Sequence, residues 1–83
     1  MRAVDYPQVL QEVEACWRDV APASAMTLAP HDNLFEGGAD SFTFIRLVRS
    51  VEAACEVTLP LLEVFEDPQL ATIARCVVEA RRR

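Results

Sequence analysis

Two adjacent glycines, an acid and a hydroxyl stand together in Gly37-Gly38-Ala39-Asp40-Ser41-Phe42, just ahead of a run rich in apolar residues. Glycine lets a loop turn tightly and lets another backbone come close, and a serine at a helix start holds its hydroxyl outward. That combination suits a serine that another protein must reach. It equally suits two helix-capping residues, because Asp and Ser are both favoured at that position. Spacing alone leaves both readings open. Hydrolysis by Ser41 fits poorly, since an activated serine needs a base within hydrogen-bond reach, a third group to orient that base, and donors for the oxyanion. The only histidine, His31, stands ten residues upstream among loop-forming residues. Thr43 also occupies the place where a nucleophile elbow has glycine. No catalytic residue is expected.

The other chemically capable side chains are three cysteines, Cys16, Cys55 and Cys76. They are odd in number and widely spaced, which fits neither a disulfide framework nor a metal knuckle, so no metal site is expected. Free thiols imply a reduced, cytoplasmic setting. Cys16 and Cys55 fall on apolar helix faces and are expected to be buried, whereas Cys76 lies at the flank of its helix and is expected to be partly exposed.

Helices must position Ser41. Asp5 is placed to cap a first helix, with Pro7 in its first turn and Gln8 at a capping-box spacing. Val9, Leu10, Val13, Cys16, Trp17 and Val20 then mark one face of period 3.6, and Pro22 ends it. Residues 21–40 contain Pro22, Pro30, Asn33, Gly37 and Gly38 without periodicity and read as a long loop, pinned by Leu28, Leu34 and Phe35. From Ser41 to Cys55 the stripe is Phe44, Leu47, Val48, Val51 and Cys55. Pro60 opens a brief helix to about Glu66, and Leu70, Ile73, Ala74, Val77 and Val78 mark a last one. The fold class is all-α: a four-helix bundle, three helices long and one short, with a long loop between the first two.

At 83 residues the chain is expected to be one domain, 1–83, and its 52% apolar content can supply a core. A net charge of −5 with no lysine argues against nucleic acid as a partner, because phosphate neutralisation needs a dense basic surface. Arg81, Arg82 and Arg83 read as a solvated helix end that complements the helix dipole. No apolar run approaches the ~20 residues of a membrane span, and no leader for export is evident.

From Pro30 through Ala74 the sequence resembles the thiolation domain of nonribosomal peptide synthetases and the related acyl carriers of polyketide and fatty-acid pathways. The matching parts are Asn33 to Glu36, the Asp40-Ser41 pair, the amphipathic helix, the Leu59-Pro60-Leu61 step, and Val64-Phe65-Glu66-Asp67-Pro68. Each is weak alone, and they are specific in register together. The resemblance implies a carrier-type bundle and a covalent 4′-phosphopantetheine on Ser41, taken from coenzyme A by a phosphopantetheinyl transferase that reads Asp40 at the helix start. It further implies a monomeric carrier that catalyses nothing itself. An adenylation or acyltransferase enzyme would load it, and condensation, ketosynthase, tailoring or thioesterase enzymes would be visited next. Brief visits call for small, fast-dissociating contacts.

On the second helix Phe42 and Ile45 lie beside Ser41, away from the core stripe, and the resemblance makes them apolar partner contacts flanked by Arg46 and Arg49. If Leu61, Val64 and Phe65 pack inward, Leu62 points out and enlarges that patch. Gly37 stands where the related domains usually have leucine, so the loop before Ser41 is expected to be loosened. Ala39 and Asp40 are similar to acyl carriers, while residues 59–68 are similar to peptidyl carriers. A free-standing peptidyl carrier is the favoured reading, Met1 standing near the first helix. A polyketide-type acyl carrier and an unmodified acidic helical adaptor are the alternatives.

Overall fold

The computed structural model describes residues 5–23 and 27–82, and among these every regular element is helical. Helix α1 spans Tyr6–Val20, α2 Ser41–Cys55, α3 Leu61–Glu66 and α4 Leu70–Arg81. The four elements expected from the apolar periodicity are the four observed.

Helix α1 packs against both α2 and α4. Its buried face is Val9, Val13, Cys16 and Trp17. Ala21, held extended before Pro22, closes it by donating its N–H to the Trp17 carbonyl at 2.8 Å. Asp5 is the N-cap residue, but its side chain caps nothing; the first turn is closed by the Val9 N–H on the Asp5 carbonyl. The expected capping box is therefore absent, and Pro7 starts the helix by fixing its own φ.

The core joins α1 to Phe44, Leu47, Val48, Val51 and Cys55 of α2, Val64 of α3, and Leu70, Ile73, Ala74 and Val77 of α4. Two expectations about its edges fail. Cys76 is buried, because α3 lies against that flank of α4 and the Cys76 thiol donates to Glu63 Oε2 at 3.4 Å. Arg81 is not a solvated helix end either. Its side chain is 9% exposed and meets Glu12 Oε2 of α1 at 3.5 Å, while Arg82 is exposed and Arg83 lies outside the described residues.

The loop between α1 and α2 is tied down by backbone bonds. Leu34 N–H donates to the Pro68 carbonyl at 2.8 Å, and Ala71 N–H to the Pro30 carbonyl at 2.9 Å, so the loop is fastened to the start of α4. Leu34 is fully buried, with Leu28 and Phe35 packed half-buried against the core.

Candidate functional site

Ser41 owes its position to the turn before it. Asn33 Oδ1 accepts from the N–H groups of Phe35 and Glu36 at 2.8 and 3.2 Å, the local side-chain turn that asparagine favours. Gly37 N–H then donates to the carbonyls of Asn33 and Leu34, both at 3.1 Å, and Ala39 N–H to the Leu34 carbonyl at 3.1 Å. Gly38 adopts φ 111°, a conformation that side chains oppose. Gly37 is buried, and a Cβ there would run into the side chain of Leu28. The expected loosening at Gly37 is thus not what the structure shows: the room left by its missing side chain is filled by Leu28.

Asp40 caps α2, with Oδ1 accepting the Thr43 N–H at 2.8 Å. That backbone hydrogen bond favours the ionised form and holds the carboxyl below its ordinary value of 3.8. Capping by Asp40 leaves Ser41 as the first helical residue, exposed, its hydroxyl hydrogen-bonded to no other described residue. His31 is engaged elsewhere, its Nδ1 3.2 Å from Gln69 Oε1 at the start of α4.

Beside Ser41 runs an open groove of about 350 Å³, lined by Phe44, Ile45, Leu61, Leu62 and Phe65 as well as the serine. Phe42 and Leu62 are 69% and 71% exposed, and Ile45 is exposed too, as the helical spacing requires. Arg46 and Arg49 are exposed on the outer side of α2, with the Arg46 guanidinium carbon 5.8 Å from the Phe42 ring centre. Two residues expected to pack inward do not. Leu61 is exposed and Phe65 is 52% exposed; of α3 only Val64 is fully enclosed. One edge of Phe65 is held by Phe35 and Phe44, at ring-centre distances of 5.9 and 5.8 Å in edge-to-face contact. Both residues were missed because a helix of six residues is too short for its pattern to set one buried face.

A glutamate sets the distance between the two sides of the groove. Glu52 Oε2 accepts the Leu59 N–H at 2.8 Å, fastening the chain that enters α3 to the side of α2, and Glu52 Oε1 receives Arg49 at 2.8 Å. Glu56 closes α2 in the left-handed conformation, φ 57°, so the chain turns sharply there. The cysteines lie away from Ser41, free and buried. Burial pushes the Cys55 and Cys76 thiols up to about 11, helped by the Glu12 and Glu63 carboxylates that accept their hydrogens. Glu63, Cys76 and Glu79 stand close enough to share a cation, but Arg75 already bonds both carboxylates at 3.3 Å.

Residues 11–77 match the profile of a family described as "phosphopantetheine attachment site". Among curated proteins the chain is 34% identical over 68 residues to the nonribosomal peptide synthetase acrB of Aspergillus aculeatus, covering 81% of this chain and 4% of that protein. It is 32% identical over 77 residues to the phosphinothricin tripeptide synthetase PhsC of Streptomyces viridochromogenes, covering 88% of this chain and 6% of that protein. With the nonribosomal peptide synthetase gloA of Glarea lozoyensis it shares 26% identity over 70 residues, 84% of this chain and 1% of the relative. The chain thus corresponds to a small fraction of each relative's length. No solved structure matches it significantly.

Proposed function

This chain belongs to the phosphopantetheine attachment site family, and from that premise we propose that Ser41 bears the 4′-phosphopantetheine of a peptidyl carrier that delivers its cargo to peptide-synthetase enzymes. The observation that carries the assignment is the Ser41 hydroxyl: first in α2, exposed, and without a hydrogen-bond partner among the described residues. When bound, the arm supplies a terminal thiol that holds an aminoacyl or peptidyl group as a thioester.

The chain's own residues present and shield. Asp40 fixes the helix start so that the serine is displayed in one orientation, and the Asn33 turn holds Asp40 in place. The groove beside Ser41 and the exposed Phe42, Ile45 and Leu62 offer partners an apolar seat, with Arg46 and Arg49 at its border. In this reading a separate phosphopantetheinyl transferase makes the attachment, and the carrier is its substrate. The peptide synthetases among its relatives support loading by an adenylation enzyme and transfer to condensation or thioesterase enzymes as the partner set of this reading. Buried free thiols suit a reduced compartment, the cytoplasm.

Intact mass after incubation with coenzyme A and a broad-specificity transferase tests the assignment. The wild type should gain one phosphopantetheine and Ser41→Ala none, with unchanged circular dichroism; Ser50 is the internal control. Modification of the alanine variant, or of neither protein, overturns it.

A further inference from the structure

On the exposed face of α2 beside Ser41 the charged side chains are arginines, although the chain as a whole is acidic. The protein carries −5 overall and has no lysine. Yet the outward crest of α2 reads Phe42, Arg46 and Arg49, all exposed. The acids nearby keep their charge but are directed at other partners or stand at the ends of the crest, with Glu56 at its far end. Asp40 caps α2 through Thr43, Glu52 holds the Leu59 N–H as well as Arg49, and Glu63 turns to Arg75 and Cys76 of α4. Glu66, one turn beyond Leu62, borders the patch only at the far end of α3.

Arg46 differs from Arg49 in having no ion pair among the described residues; it lies over the Phe42 ring instead. A guanidinium against an aromatic ring is steadied there while its N–H groups stay available at the edge, a geometry that matches a carboxylate bidentately. The five large apolar side chains exposed around the groove set an apolar centre, and Arg46 puts a positive rim on the α2 side.

We propose that the surface beside Ser41 receives a protein partner whose docking face is an apolar ridge bordered by carboxylates where it crosses α2, and that Arg46 is the residue that selects it. The inference rests on the carrier reading for why a partner visits Ser41. Its physical content is local charge complementarity, which governs specificity and association more than affinity.

Two synthetic amphipathic helical peptides, with one shared Leu/Phe face and either glutamates or lysines along its borders, test this when titrated into the isotope-labelled, unmodified protein. By nuclear magnetic resonance the glutamate peptide should bind at least ~10-fold tighter and shift the amides of Phe42, Ile45, Leu62 and Phe65. Its advantage should shrink in about 0.5 M salt, which screens rim charges. Arg46→Gln should weaken the preference and Arg46→Glu abolish it, whereas Arg82→Glu should leave it intact. Equal or tighter binding of the lysine peptide, which net charge alone predicts, overturns the proposal. So does a preference indifferent to Arg46, or failure of both peptides to bind by about 1 mM. Because the protein is unmodified, a failed mass gain at Ser41 with the peptide preference intact would overturn the carrier reading and leave this surface standing.

Discussion

The side chain of Leu28 occupies the space that a side chain on Gly37 would need. Two loop residues nine apart therefore form one packing unit beneath the turn that leads to Ser41, and Gly37 N–H is spent on the carbonyls of Asn33 and Leu34 rather than left loose.

Gly37→Leu should accordingly destabilise the protein, by about 1–3 kcal/mol, the range for overpacking a filled site. Combined with Leu28→Ala it should cost clearly less than the sum of the two single changes, since contacting residues couple. Urea unfolding of the four proteins measures this directly. Strict additivity would mean that the two side chains do not compete for one space.

Core and patch should separate cleanly on α2 and α3. Val48→Ala and Val51→Ala remove methyl groups from fully buried positions and should cost roughly 1–3 kcal/mol. Phe42→Ala, Ile45→Ala and Leu62→Ala should stay within about 0.5 kcal/mol, as surface changes do. Phe65→Ala should fall between the two sets, because the ring is half exposed yet touches Phe35 and Phe44. Thermal melts rank all six, and a Phe42 or Leu62 variant melting with the valine set would place that residue in the core.

The thiols give a dependence on alkaline pH. Cys55 and Cys76 stay protonated in the folded chain up to about 11, against an ordinary value of 9.0. Between those values the unfolded chain binds fewer protons than the folded one, so stability is complete below pH 9 and falls as pH rises through 11. Denaturant midpoints followed across that window should decline, and decline less steeply in a Cys55→Ala, Cys76→Ala double variant. Equal slopes would mean that the thiols titrate alike in both states.

Periodicity made the helices legible. The α2 stripe of Phe44, Leu47, Val48, Val51 and Cys55 is the buried face observed, and the same spacing set Phe42 and Ile45 outside it. What stayed hidden depended on distant neighbours. Arg81 looks like a dissolved helix end until Glu12, 69 residues earlier, is brought beside it. Cys76 looks half exposed until α3 covers it. Gly37 reads as a gap because nothing in the local string says that Leu28 fills it. In α3 the difficulty is length: six residues make under two turns, so Leu61 and Phe65 could be assigned inward as readily as outward. Asp5 failed as a side-chain cap although its type suits one, because propensity does not by itself make the hydrogen bond.

Glu52 has a consequence for how the surface beside Ser41 can evolve. Its carboxylate joins the last turn of α2 to the chain entering α3, so the gap between Ile45 on one side and Leu61 and Leu62 on the other is gauged by a half-buried side chain. Phe42 and Arg46, which meet each other, can change without altering that gauge, whereas Arg49 is bonded to it. A change at Glu52 would instead shift one wall of the groove against the other and reshape the whole surface beside Ser41 at once.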